Sequence, residues 1–173
     1  MLCYNYNMKI KTNTSIIRAN KAHISMIITA MNYLAKEFPN SFFVPSTREE
    51  LEDVLLANNG FILLSMVEKK LAGGVIVIYP NESNHYLSGY DYKESAIIDS
   101  IFLDPNFRRR GIASSLMSEA LELLEHKKNI YASVALDNIA SQNLFSHNGF
   151  IIYEKKRLYN NFERYVLLRE KRN

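Results

Sequence analysis

Apolar residues recur along the chain in two rhythms, one at helical spacing and one alternating like a strand. Residues 15–18 read as a short first strand. Asn20 then caps a helix running to about Lys36, with Ile27, Ala30, Met31, Leu34 and Ala35 on one face. Pro39 and Pro45 bracket an irregular connection, after which Ser46-Thr47-Arg48-Glu49 has the pattern of a capping box. The helix it opens carries Leu51, Val54 and Leu55, and Asn58-Asn59-Gly60 ends it, because Asn and Gly accept positive φ. Residues 61–67 and 71–79 are predicted strands joined by a turn at Glu68-Lys69-Lys70. Residues 80–94 form a long polar loop containing Tyr86, Tyr90, Asp91 and Tyr92. A strand over 96–103 is closed by Pro105. A helix over 111–126, a strand over 131–136, a helix over 138–148 stopped by Gly149, and strands over 150–156 and 163–169 complete the chain. The order β-α-α-β-β-β-α-β-α-β-β predicts a mixed α/β domain, one sheet with helices on both faces. Gly73-Gly74 inside the third strand marks a bulge or a close backbone approach.

Composition narrows the class without reaching function. With 173 residues, the chain is about one domain long, expected over 14–170 behind a flexible segment at 1–13. Hydrophobic residues at 47% and charged residues at 23% exclude disordered and fibrous classes. No apolar run approaches the roughly 20 residues a bilayer crossing needs. The single cysteine, Cys3, suits a reducing compartment, and MLCYNYNMKIK lacks the apolar stretch of a secretory leader, so a cytoplasmic location is expected. The net charge of +3 does not by itself imply nucleic acid. His23, His85, His126 and His147 are scattered without metal-ligand spacing, so no metal is expected.

The chemistry concentrates at residues 101–113, where an apolar strand runs into a basic turn and directly into a helix. The first-turn N–H groups of a helix point at whatever lies beyond its end, and the macrodipole adds positive charge there. Gly111 lets a ligand approach the backbone, and Arg108, Arg109 and Arg110 supply charge-assisted donors. The physical reading is an anion site suited to a pyrophosphate; the alternative is an ordinary turn with a solvated basic run. Neither a Walker A loop nor a G-x-G-x-x-G fingerprint occurs.

Arg108-x-x-Gly111-x-Ala113, following Ile101-Phe102-Leu103 and Pro105, resembles the acetyl-CoA motif of the GCN5-related N-acetyltransferases. Residues 138–150, with Asn138, Ser141, Phe145, Gly149 and Phe150, resemble that family's second block, and the element order agrees over about 14–170. The resemblance implies acetyl transfer from acetyl-CoA directly to a primary amine of a small molecule, an amino acid or a peptide N-terminus. It implies that the backbones of Ile101 and Leu103 pair with the pantetheine arm. The N–H groups of Arg109, Arg110, Gly111, Ile112, Ala113 and Ser114 would then hold the pyrophosphate. Arg108 and Arg110 are expected to reach phosphate oxygens, Asn138 to contact the arm near the thioester, and the Leu103 N–H to face the oxyanion. Two positions depart from the family. Phe145 stands where a tyrosine usually protonates the leaving thiolate, and Ser133 stands where several relatives place Glu or His as the base. Asp99 is then the candidate base or amine anchor, placed by alternation with Ile101 and Leu103 if no bulge intervenes, with Glu94 a second candidate. A non-catalytic acyl-CoA sensor is the alternative function. A monomer or homodimer is expected, with neither nucleic acid nor membrane as partner. The residues 155–172 read as a terminal strand with a solvated charged face.

Overall fold

The computed structural model describes residues 14–38, 42–81, 91–159 and 161–171. The strands are β1 (Thr14–Arg18), β2 (Gly60–Val67), β3 (Lys70–Ile78), β4 (Ser95–Leu103), β5 (Asn129–Ala135), β6 (Ile151–Leu158) and β7 (Phe162–Glu170). The helices are α1 (Ile24–Glu37), α2 (Arg48–Leu56), α3 (Ile112–Leu123) and α4 (Ile139–His147). This is the expected element order, with short 3-10 turns added at Lys21–His23 and Pro105–Phe107. The segment 1–13 and the loop residues His85, Tyr86 and Tyr90 lie outside the described residues. No helix among the described residues is long and apolar enough to cross a membrane.

All seven strands join one sheet in the order β1-β2-β3-β4-β5-β7-β6. Every pairing is antiparallel except β4 with β5. Strand alternation divides the core between the two faces. Phe61 and Leu63 of β2 pack with Ile112, Leu116 and Ala120 of α3. Ile62 and Leu64 pack with Ile27 and Met31 of α1 and Leu51 of α2. The helices therefore cover both faces, as the pattern required. β7, last in the chain, lies inside the sheet between β5 and β6, and Arg164, one of the charges expected on a solvated face over 155–172, is instead 7% exposed.

Local signals fix the boundaries. The two-residue turn Glu68-Lys69 has positive φ at both positions (48° and 67°), matching the twist of the β2–β3 hairpin. The capping box forms one residue later than expected. The Thr47 N–H donates to Glu50 Oε2 at 2.7 Å and the Glu50 N–H donates to Thr47 Oγ1 at 3.2 Å. Ser46–Glu49 and Thr47–Glu50 both satisfy the sequence pattern, and the second starts α2 so that Leu51 and Val54 turn inward. α3 stops at Leu123, short of the expected 126, and β5 begins at Asn129, where it can pair with both Ser95 and Glu170.

Two bulges shape the centre of the sheet. Ser65 faces Gly73 while Met66 faces Leu71, which leaves Ala72 as an extra residue on β3. Val77 faces Ile98 while Ile76 faces Ser100, which leaves Asp99 unpaired on β4. The second bulge reverses the phase of the strand. Ala96 and Ile98 belong to the α3 side before it, and Ile101 and Leu103 pack on that side after it. The simple alternation expected to place Asp99 beside Ile101 and Leu103 is therefore corrected, because the bulge falls on Asp99 itself.

Gly73 and Gly74 sit on β3 where a side chain would crowd Phe102 of β4. A Cβ on Gly73 would lie 2.5 Å from the Phe102 carbonyl oxygen, and one on Gly74 would lie 2.7 Å from Phe102 Cζ. Gly73→Val should therefore lower stability by about 1–3 kcal/mol through overpacking, read as a lower urea midpoint. An unchanged midpoint would show that β3 and β4 do not approach this closely.

Candidate functional site

The β4–β5 ladder covers only Ser95↔Asn129 to Ile98↔Ala132. Past that point β5 continues against β7, with Ser133 facing Val166 and Ala135 facing Arg164, while β4 continues against β3. The bulge at Asp99 marks where the two parallel strands part. Their separation exposes one edge of β4. The Asp104 N–H donates to the Ala72 carbonyl at 2.8 Å, toward β3. Successive amides of a strand point to opposite edges, so those of Leu103 and Ile101 face the open side. Buried or ligand-facing backbone groups of this kind require a partner.

The strand leads through Pro105–Phe107 into the arginine turn. Arg109 (φ 58°) and Gly111 (φ 75°) are both left-handed, and Gly111 is the residue preceding α3. A Cβ at Gly111 would meet nothing within 4 Å, so φ rather than crowding favours glycine, and the approach to the backbone is open. The Ser115 N–H donates to the Gly111 carbonyl at 2.9 Å, so the first helical bond starts there. The amides of Ile112, Ala113 and Ser114 have no carbonyl one turn back to bond. The first turn of α3 carries no acidic residue. Ile112 is buried, so its side chain anchors the helix and only its backbone is available. Arg108, Arg109 and Arg110 are exposed; the Arg108 guanidinium rests 4.9 Å over the Phe38 ring and that of Arg110 5.2 Å over Phe107. The turn thus combines an unobstructed helix N-terminus with three cations.

Where β4 and β5 part, a cleft of about 220 Å³ opens, bounded on the strand side by Asp99, Ser100, Ile101, Ser133 and Val134. Asn138, Ser141 and Phe145 of the α4 region border it as well. The Asn138 Oδ1 accepts from the Ser141 N–H at 3.1 Å, so this side chain caps α4 while lining the cleft. Phe145 is 3% exposed and meets Phe150 edge-on at 5.0 Å. The site also includes residues that the sequence did not single out: Phe42 and Phe43 from the α1–α2 connection, Glu50 of α2, Tyr159 of the β6–β7 turn and Arg164 of β7. Arg164 sits in phase with buried Val166 and Leu168, and a basic residue at an inward strand position was the available signal.

Asp99 is partly buried, and the Ser100 hydroxyl donates to its carboxylate at 3.2 Å. Burial raises its pKa from 3.8 to about 6. The Ser100 hydrogen bond lowers it, the charge of Glu50 raises it, and Arg164 lowers it least of all. Glu94 does not line the cleft; its carbonyl accepts from the Lys128 and Asn129 amides. Asp91 also lies away from it, accepting from the Lys93 N–H. His147 is exposed and sits 2.6 Å from the Asn143 carbonyl, and His23 joins the Asn20 cap. Among the described residues no three His, Cys, Asp or Glu side chains gather as a metal site.

The fold is a central mixed sheet split at its parallel pair, with a helix N-terminus at the mouth of the split. The acetyltransferase (GNAT) family matches residues 27–150, and the chain belongs to that family. No curated protein matches it by sequence. A GNAT-family acetyltransferase from Streptococcus pneumoniae is similar in structure at 19% identity, with a TM-score of 0.73 over 91% of this chain and 98% of that one. So is yncA of Salmonella typhimurium, solved with acetyl-CoA, at 14% identity and a TM-score of 0.74 over 94% and 96%. Naa50 of Arabidopsis thaliana, in complex with the bisubstrate analogue CoA-Ac-MVNAL, is similar at 16% identity and a TM-score of 0.72 over 91% and 98%.

The raised pKa of Asp99 carries a stability consequence. A carboxyl with a higher pKa folded than unfolded holds its proton more tightly in the folded state. That contribution is complete below 3.8 and is lost as pH rises through about 6. Asp99→Asn should match wild type near pH 4 and show a higher urea midpoint than wild type near pH 8. An equal or lower midpoint at the higher pH would mean that the carboxylate is not desolvated.

Proposed function

We propose that the chain is an acetyl-CoA-dependent N-acetyltransferase that moves the acetyl group directly to a primary amine. The observation that carries the reading is the edge of β4 past Ile98, which no described strand pairs and which leads through Pro105–Phe107 and the arginine turn to the open N-terminus of α3. The residues present suit an acyl-CoA. The extended edge at Ile101 and Leu103 suits the amide-bearing pantetheine arm, which can add to it as a short strand. The amides from Arg109 to Ser114, with Arg108 and Arg110 beside them, suit its phosphates. Asn138 and Phe145 border the same cleft and suit the end of the arm. Bound there, acetyl-CoA supplies an acetyl group activated as a thioester. The single cysteine fits a reducing compartment, and we place the reaction in the cytoplasm.

Asp99 takes a proton from the acceptor ammonium, directly or through one water, so that a neutral amine can attack. A pKa of about 6 leaves it ionised at neutral pH while keeping it a useful base. The Leu103 amide, aimed at the open edge, stabilises the negative charge that develops on the carbonyl oxygen. The C–N bond forms and the C–S bond breaks; the amine gives up two protons in all, the departing sulfur takes one, and one passes to solvent. Phe145 cannot protonate the sulfur. A thiol with a pKa near 8.5 leaves as thiolate with little help.

Calorimetric binding of acetyl-CoA, followed by free-thiol release with a panel of amines, tests the reading. Gly111→Asp should weaken acetyl-CoA binding about tenfold or more, because it sets a carboxylate in a strained backbone where phosphate charge is expected. Undiminished affinity would remove the α3 turn from the site. Phe145→Tyr should leave turnover equal or higher; a collapse with intact acetyl-CoA binding would contradict the assignment of Phe145. Phe145 also supports a second reading, a non-catalytic acyl-CoA sensor, for which the expected result is binding without thiol release from any amine.

A further inference from the structure

Acetyl transfer leaves one wall of the cleft without a task. The edge of β4 and the turn before α3 take the cofactor, and Asp99 takes the proton. The wall built by the α1–α2 connection does neither. Four consecutive apolar residues of that connection, Phe42, Phe43, Val44 and Pro45, line the cleft. Connections run over the surface and are ordinarily polar, so an apolar run of this length calls for a reason. Phe43 has a structural one, because it packs on the core shared by α1, α2 and Ile62 of β2. Phe42 is also partly buried, yet among the described residues it packs against none of the three buried clusters. Val44 is 43% exposed. Phe43 thus pins the connection to the body of the protein, and its neighbours are held at the cleft with apolar surface uncovered.

The polar part of the lining points the same way. The Glu50 carboxylate accepts from the Thr47 N–H at 2.7 Å, and the Thr47 hydroxyl accepts from the Glu50 N–H at 3.2 Å. The Asn138 Oδ1 accepts from the Ser141 N–H at 3.1 Å, and Arg164 Nε donates to Ser133 Oγ at 3.3 Å. These groups serve the chain's own caps and strands. Asp99 accepts from Ser100 and, as a carboxylate, has lone pairs left for an amine. Beyond Asp99 the cleft offers a guest mainly apolar surface, to which Ile101, Val134 and Phe145 add where β4, β5 and α4 border it. Small-molecule sites commonly have this character, apolar walls with one or two polar groups that fix orientation. A cleft of about 220 Å³ suits a single ring or branched chain.

Resting on the acetyltransferase reading above, we propose that the acceptor is a primary amine attached to a bulky apolar group, which Phe42, Val44 and Pro45 receive while the amine faces Asp99.

The test measures free-thiol release in two series. The first is ethylamine, isopentylamine and phenethylamine, with ethanolamine and a diaminobutane as polar counterparts. The second is short peptides that begin with glycine, lysine or phenylalanine. In the wild-type protein kcat/KM should rise by about 10- to 100-fold from the smallest to the bulkiest apolar acceptor, the range that buried methylenes give in an apolar pocket. Phe42→Ala should erase that lead, chiefly by raising the acceptor KM, and Phe42→Leu should keep part of it. A lead among the free amines identifies a small-molecule acceptor, and a lead among the peptides identifies an N-terminus; the apolar requirement is common to both. No advantage for the bulky apolar group in either series would overturn the proposal, as would a lead that persists in Phe42→Ala. If Phe42→Ala does not fold, the wild-type ranking and Phe42→Leu decide. Acetyl-CoA binding on the same preparations separates the two levels. Turnover of amines without preference for apolar bulk overturns the acceptor assignment alone. Binding without turnover of any amine overturns it as well. Absent binding overturns the acetyltransferase reading and this proposal with it.

Discussion

The parting of two parallel strands governs the rest of the site. β4 and β5 pair over four positions, and the ladder ends where Asp99 bulges from β4. One extra residue there does three things. It bends β4 away from β5, it reverses the phase of the strand so that Ile101 and Leu103 reach the α3 side, and it turns a carboxylate toward the opening. The split is sustained by the packing of each face. α3 sits on one side against β2 and β3, and α1 and α2 hold the other. The glycine pair of β3 lets that strand follow β4 through its bend. A sheet that simply zipped β4 to β5 would bury the amides that the proposed cofactor needs.

The proton and charge balance of the cleft follows from this geometry. Asp99 sits in a place that disfavours its charge, and its pKa of about 6 records that cost. Such a group weakens the fold at neutral pH and is retained where chemistry uses it. Arg164 presents the complementary case, a cation kept nearly out of water by Ser133 and Tyr159.

Much of the fold was legible because its signals are local. The Glu68-Lys69 turn, the Asn20 cap, and Gly111 and Gly149 with their positive φ mark ends that the chain encodes within a few residues. The α3 turn was equally legible, since strand, basic residues and glycine are contiguous from Ile101 to Ala113. What escaped is non-local. The Asp99 bulge depends on the register between β3 and β4, which alternation alone does not determine. Arg164 reads as one charge of a polar tail until β7 is found between β5 and β6. Glu50 reads as a helix residue until α2 is packed beside the bulge, where its charge reaches Asp99.

The most direct measurement of the central claim is residue-resolved amide exchange with and without acetyl-CoA. The account predicts added protection at Ile101, Leu103 and the amides from Ile112 to Ser114. Phe102, whose amide faces β3, should change little. Protection that gathers elsewhere, or that leaves Ile101 and Leu103 unchanged when acetyl-CoA is bound, would contradict the claim that the open edge of β4 is the binding strand.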